Sequence, residues 1–222
     1  EWAEKGYQMP QFDIQAVREK THDEPTWVHF GAGNLFRAFQ ANVVQKLLNK
    51  GVLDRGLIAV EGFDYEIIEK MYRPHDDLSI LVTLKADGNV EKTVVGSILE
   101  SCVLDSENGA EFQRLREIFA KDSLSSVEAD YKAGPEKAMS YIGKVVSLLY
   151  TRYQAGKKPI AMVSMDNCSH NGDKLYAAVH AFAEKWVENA LAEEGFLHYI
   201  EDKNKVAFPW TMIDKITPRP DA

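Results

Sequence analysis

Thr26-Trp27-Val28-His29-Phe30-Gly31-Ala32-Gly33-Asn34-Leu35-Phe36-Arg37 is the stretch that decides the fold. Thr26 to Phe30 is rich in β-branched and aromatic residues and predicts a short strand ending at Gly31. Phe36, Phe39, Val43 and Leu47 then recur at spacings of three and four, which predicts one helix with an apolar stripe, ended by Gly51. A glycine turn between a strand and a helix is the arrangement that cradles a dinucleotide. Gly31 permits the sharp turn, Ala32 follows it, and Gly33 lets the backbone approach a pyrophosphate at the helix N-terminus beside Asn34. Phe36 replaces the third glycine of the usual fingerprint, and its ring would hold helix and sheet apart unless the helix is displaced. Arg37, one turn into the helix, offers a guanidinium to a phosphate in compensation. The alternative is a plain strand-turn-helix whose glycines serve only the turn.

Working outward, Leu57 to Val60 predicts a second strand, and two acids follow it. Glu61 and Asp64 lie 28 and 31 residues beyond Gly33. The acid that takes a ribose hydroxyl pair is expected about 20 residues on, so the loop before this strand must be long. Either carboxylate would repel a 2′-phosphate and favour NAD over NADP; either could equally be a solvated loop acid, and the sequence does not choose between them. Glu66 to Met71 predicts a short helix closed by Arg73-Pro74. Ile80, Val82 and Leu84 alternate, Lys85 to Asn89 turns the chain, and Val90 to Val95 alternates again, which predicts an antiparallel hairpin.

Two further helix faces are Phe112, Leu115, Ile118 and Phe119, then Ala138, Ile142, Val145, Leu149 and Tyr153, stopped by Gly156. A weak strand signal lies at Ser123 to Val127. Pro159 to Met165 is an almost wholly apolar run, suited to a strand covered on both faces. After Asn171-Gly172, a long helix is marked by Leu175, Val179, Phe182, Trp186 and Ala190. Residues 1–25 are polar and poorly periodic, an N-terminal extension that Phe12, Ile14 and Val17 could pin to a core. This order predicts an α/β sandwich with a mostly parallel sheet, right-handed crossovers and a hairpin extension.

The composition sets limits on function. With 222 residues, 45% hydrophobic and 27% charged, the chain is an ordinary globular domain, and disorder is excluded. A net charge of -8 argues against nucleic-acid or anionic-membrane partners, which need a positive field. No run of 18 apolar residues and no signal-like N-terminus occur, although the sequence begins at Glu1. Cys102 and Cys168 are too few for a disulfide scaffold, so a reducing, cytoplasmic setting is expected. The six histidines lack metal-ligand spacing, and no metal is expected.

Two other segments carry chemistry. Ser164-Met165-Asp166-Asn167-Cys168-Ser169-His170-Asn171-Gly172 crowds polar residues at the end of a buried strand, where open α/β sheets place ligands. Asn167 or Asn171 could donate an amide hydrogen bond to a sugar hydroxyl or a nicotinamide, while Asn171 or Asp173 could instead cap the next helix. Cys168 and His170 have no third partner, so they do not make a nucleophile site. Phe208-Pro209-Trp210-Thr211-Met212-Ile213-Asp214-Lys215-Ile216-Thr217-Pro218 reads as a functional loop or domain junction, with Asp214 either functional or paired with Lys215.

Taken together, Gly-Ala-Gly-Asn-Leu-Phe-Arg-Ala-Phe-Gln at 31–40, Ser-Met-Asp-Asn at 164–167 with Asn171-Gly172, and the 208–218 segment resemble the long-chain mannitol dehydrogenase family of mannitol 2-dehydrogenases and D-mannonate oxidoreductases (fructuronate reductases). The resemblance runs from Trp27 to Pro218. It implies a Rossmann-like dinucleotide-binding domain over 26–207 and a junction over 208–222 leading to a helical C-terminal domain absent from this chain. It also implies NAD as cofactor and hydride transfer to or from a linear polyol or sugar acid. By the same resemblance Gly31, Ala32, Gly33, Asn34 and Arg37 surround the pyrophosphate, and Glu61 to Asp64 meets the adenosine ribose. Asp76 lies near the cofactor, and Asn167 and Asp214 support the chemistry. The family's catalytic lysine, in a Lys-x5-Asn-x2-His pattern, belongs to the C-terminal domain, and Lys215 does not take its place. Departures are Phe36 and Phe39 where relatives often have histidine, Lys215 for arginine, and a chain that is short near 127–131. A non-catalytic dinucleotide sensor and a structural or interaction domain are the other readings.

Overall fold

β2 (Trp27–Phe30) lies inside a six-stranded sheet whose neighbours are all parallel. The computed structural model describes residues 2–120, 126–127, 135, 141–166 and 168–212. Outside β2 the sheet holds β3 (Leu57–Glu61), β6 (Ile98–Val103), β7 (Ser126–Val127), β8 (Ile160–Met162) and β9 (Val206–Ala207). Their spatial order is β6-β3-β2-β7-β8-β9. Counted along the chain within this sheet, that is 3-2-1-4-5-6, the doubly wound order whose ligand crevice opens at the carboxyl ends where the order reverses. Here the reversal falls between β2 and β7.

Alternate strand residues point to opposite faces, and both faces are covered. Val28, Phe30, Ile58, Val60, Cys102 and Leu104 share one core with α5 (Gly109–Ala120), α6 (Tyr141–Gln154), α7 (Asn171–Glu188) and α8 (Glu194–Glu201). Leu57, Ala59 and Val103 share the other with α2 (Asn34–Ala38) and α3 (Gln40–Asn49). This double cover is why β3, buried at all five residues, reads as a continuous apolar run.

The expected hairpin forms from β4 (Ser79–Leu84) and β5 (Val90–Val95), in register from Ser79 opposite Val95 to Leu84 opposite Val90. It belongs to a separate three-stranded sheet in which β1 (Tyr7–Gln8) pairs parallel to β5. The polar N-terminal stretch thus contributes β1 and α1 (Ile14–Asp23), the latter capped by Asp13 accepting from the Ala16 amide at 3.1 Å.

Three expectations are corrected. The single helix after Gly33 is two helices, broken at Phe39 (φ −106°, ψ −72°). Phe36 is buried and stacks on His29 with ring centroids 4.0 Å apart; the helix accommodates that ring by restarting in a new phase. As a result Phe39 and Val43 are 44% and 55% exposed, and Ala41, Val44, Gln45 and Leu48 face inward. Gln45 is satisfied there, donating to Val94 O (2.7 Å) and accepting from Gly96 N (2.6 Å). The last helix stripe ends before Ala190, because α7 stops at Glu188 and Ala190 is exposed at φ +54°. The predicted helix at Glu66–Met71 is α4 (Tyr65–Ile67) followed by a π-helical turn, Ile68–Tyr72, and a 3-10 turn, Arg73–His75. β6, α8 and β9 stand outside the elements the sequence predicts.

Candidate functional site

The glycine loop leaves β2 at the reversal point. Gly31 has φ +107°, a conformation that strains any L side chain, and its N–H donates to Val60 O at 2.7 Å, extending the β2–β3 ladder by one residue. Ala32 is fully buried and both its polar groups are held by side chains: its N–H donates to Glu61 Oε2 (2.9 Å), and its carbonyl accepts from the Tyr72 hydroxyl (2.8 Å). Glu61, only 8% exposed at the end of β3, accepts with its other oxygen from the Gly62 and Phe63 amides (2.9 and 3.0 Å). The three backbone donors stabilise a carboxylate that burial would otherwise penalise.

Beyond Ala32 the loop opens. Gly33 and Asn34 are exposed, and α2 begins without a capping side chain. The Arg37 guanidinium donates to the Asn34 carboxamide oxygen and lies 5.5 Å from the centre of the Tyr72 ring. Burial pushes the Tyr72 phenol well above its ordinary range, with the Arg37 charge opposing, so the hydroxyl remains a donor. Beneath the loop, burial lowers His29 to about 4, leaving a neutral imidazole against Phe36. At the end of β6, Leu104 O accepts from Lys144 Nζ (3.0 Å) and the Tyr65 hydroxyl (3.3 Å).

Asp64 precedes α4, exposed and making no capping bond. Asp76 has a left-handed backbone (φ 58°), and its carboxylate pairs with Arg18 of α1 at 3.2 Å. Asn167 and Asp214 lie outside the described residues, as does the short stretch near 127–131 beyond Val127.

The other two motifs are stitched together. Asn171 is 2% exposed, and its carboxamide pairs with the backbone of Thr211 as a strand partner would, donating to Thr211 O (3.0 Å) and accepting from Thr211 N (3.0 Å). Its two N–H donors are shared with Thr211 Oγ1 (2.6 Å) and Asp166 O (3.1 Å), and its oxygen also accepts from Gly172 N (2.9 Å), while the Thr211 hydroxyl donates to Ser164 O. A Cβ on Gly172 would stand 2.5 Å from Phe208 O, so only glycine admits this crossing. Trp210 stacks on His170 (4.3 Å) and donates to Asp173 (2.9 Å). Neither Asn171 nor Asp173 caps α7: its N-cap, His170, makes no side-chain capping bond, and Asn171 is spent on the 208–212 segment.

Because β2, β8 and β9 are parallel members of one sheet, residues 31–37, 163–166 and 208–212 all leave from its carboxyl edge. Among the predicted residues, Gly31, Ala32, Gly33, Asn34, Arg37 and Glu61 meet around the loop. Tyr72 and Thr211 stand outside the residues the sequence singles out: the Tyr72 hydroxyl holds a backbone carbonyl 40 residues away and the Thr211 hydroxyl one 47 residues away, separations no local pattern reports. Two grooves of about 760 and 1110 Å³ flank α2 and α3 on the side of β4, lined by Arg37, Met71 and Ile80 in one and Leu35, Phe39 and Val43 in the other. Among the described residues no group of three acidic, histidine or cysteine side chains is placed to hold a metal ion, and no helix is long and apolar enough to cross a membrane.

Fold, loop and strand order define an α/β Rossmann domain of the dinucleotide-binding kind. The sequence model of the family described as "Mannitol dehydrogenase Rossmann domain" matches residues 25–221, and the chain belongs to that family. A D-mannonate oxidoreductase of Thermotoga maritima is 42% identical over 241 aligned residues, covering 99% of this chain and 44% of the relative. A polyol:NADP oxidoreductase of Gluconobacter oxydans is 25% identical, covering 95% and 45%. Among solved structures, the Pseudomonas fluorescens mannitol 2-dehydrogenase ternary complex with NAD and D-mannitol superposes with a TM-score of 0.75 at 24% identity, over 96% of this chain and 45% of that one. The chain therefore spans about half the length of the relatives it matches.

Proposed function

We propose that this chain is the NAD-binding domain of an oxidoreductase that moves a hydride between the nicotinamide and a linear polyol or sugar acid, mannitol with fructose or mannonate with fructuronate. The observation that carries this reading is the departure of all three motifs from one carboxyl edge, the glycine loop at the reversal of strand order. The exposed Gly33–Asn34 backbone and Arg37 fit a diphosphate: open amides at a helix start and one guanidinium complement its charge.

Of the two acids at and after the end of β3, Glu61 is committed to the loop amides, so the adenosine ribose falls to the exposed Asp64. A carboxylate there accepts from both ribose hydroxyls and repels a 2′-phosphate, which favours NAD. When bound, NAD supplies the hydride acceptor and donor. Asn167 then donates a hydrogen bond to the substrate oxygen as it gains negative charge, and Asp214 orients substrate hydroxyls. The junction 208–222 leads to a second domain that supplies the lysine base, as the family resemblance implies. Titration with NADH, beside assays with mannitol and with fructuronate, tests this: binding without turnover is expected of these 222 residues. Full turnover by them alone contradicts the assignment of the base to another domain, and failure to bind NADH contradicts the cofactor assignment.

A further inference from the structure

Tyr72 ends the π-helical turn Ile68–Tyr72, a rare conformation that recurs at functional sites, and an unusual backbone follows it. Asp76 and Asp77 are consecutive left-handed residues (φ 58° and 60°), a conformation few non-glycine residues adopt. The segment is tied down at both ends. The Asp77 N–H donates to Tyr72 O (2.9 Å), and the Asp77 carboxylate accepts from the Ser101 hydroxyl of β6 (2.7 Å). A line of bonds therefore runs from β6 through Asp77 and Tyr72 to the Ala32 carbonyl, at the root of the glycine loop. Glu61 meets the same residue from its amide side, and the Tyr72 ring faces the Arg37 guanidinium.

Resting on the dinucleotide reading above, we propose that Tyr72 is a positioning residue for the cofactor diphosphate. Its hydroxyl, opposite Glu61, fixes Ala32 so that the Gly33–Asn34 amides are set before ligand arrives, and its ring seats Arg37 over the same ligand. Binding then needs no reordering of the loop, which lowers the entropic cost of seating the diphosphate. Tyr72 touches neither substrate nor cofactor in this account; it acts through Ala32 and Arg37.

Calorimetric titration of wild type and Tyr72→Phe with ADP and with adenosine tests the role, since only ADP carries the diphosphate. Loss of the hydroxyl should weaken ADP about fivefold, the worth of one ordinary hydrogen bond, and leave adenosine within about twofold. Equal ADP affinity in the two proteins, or equal weakening of both ligands, overturns the proposal. If wild type binds neither ADP nor NADH, the dinucleotide reading itself falls, an outcome distinct from failure of the positioning role alone. Should the variant not fold, amide hydrogen exchange of ligand-free wild type decides. Ala32 should exchange as slowly as the β2 amides; exchange that becomes slow only after ADP is added overturns the proposal.

Discussion

At the β2 end of the carboxyl edge, side chains grip one residue at its N–H and its carbonyl, and the backbone beyond it is exposed. At the β8–β9 end, a buried carboxamide and a hydroxyl are spent on the backbone they cross. Glu61 and Tyr72 hold Ala32, after which Gly33 and Asn34 stand exposed. Asn171 and Thr211 hold each other and Ser164, joining the end of β8 and the start of α7 to the 208–212 segment. Both ends use buried polar groups to fix main chain, which is costly unless each group is partnered. The difference lies in what is left over: exposed backbone at Gly33 and Asn34 at one end, and at the other polar groups spent on the chain they cross.

The largest effect should come from breaking the second end. Asn171→Ala removes bonds to Asp166, Gly172 and Thr211 and leaves buried amides unpaired, so a loss of about 3 kcal/mol is expected. By urea melt or calorimetry that is a fall in Tm of roughly 6–12 °C, with NADH affinity measured well below the melt little changed.

Acid should loosen the first end instead. His29 titrates near 4 folded and at 6.5 unfolded, so its contribution is complete above pH 6.5, where both forms are neutral. It is lost as the pH falls from 6.5 towards 4, about 3 kcal/mol across that window. Urea midpoints against pH should show this slope in wild type and not in His29→Phe.

Smaller effects separate binding from folding. Arg37→Gln should raise the NADH dissociation constant about tenfold while Tm stays within about 2 °C, because the side chain is half-exposed and its partners are Asn34 and the Tyr72 ring. Smallest of all, Asp64→Ser should narrow the preference for NADH over NADPH by about fivefold, read from paired titrations.

How much of this was legible depended on whether a signal was local. The faces of α5 and α6 were read because uninterrupted helices keep their period: Phe112, Leu115, Ile118 and Phe119 are all buried, as are Ile142, Val145, Leu149 and Tyr153. The α2–α3 break was hidden because Phe36, Phe39, Val43 and Leu47 keep the spacing of a helix that does not continue. β6 was masked by Val94-Val95, whose apolar run continues into Ile98 across Gly96-Ser97 and so looks like more hairpin. The glycine turn itself was plain, since strand, turn and helix are contiguous. Its fastenings were not: Glu61 reaches Ala32 from 29 residues away, Tyr72 from 40. Glu61, one of the two ribose candidates, is thus bound into the loop, which spacing alone does not reveal. The same holds for Asn171, where an Asx cap is the local expectation and a contact 40 residues distant prevails.

Whether the carboxyl edge of β2 receives a diphosphate can be read by amide-resolved NMR during titration with NADH. Saturable shifts are expected at Gly33, Asn34 and Arg37, with Gly31 and Ala32 moving less. Shifts confined to the groove lined by Leu35, Phe39 and Val43, or no saturable shift at all, would contradict it.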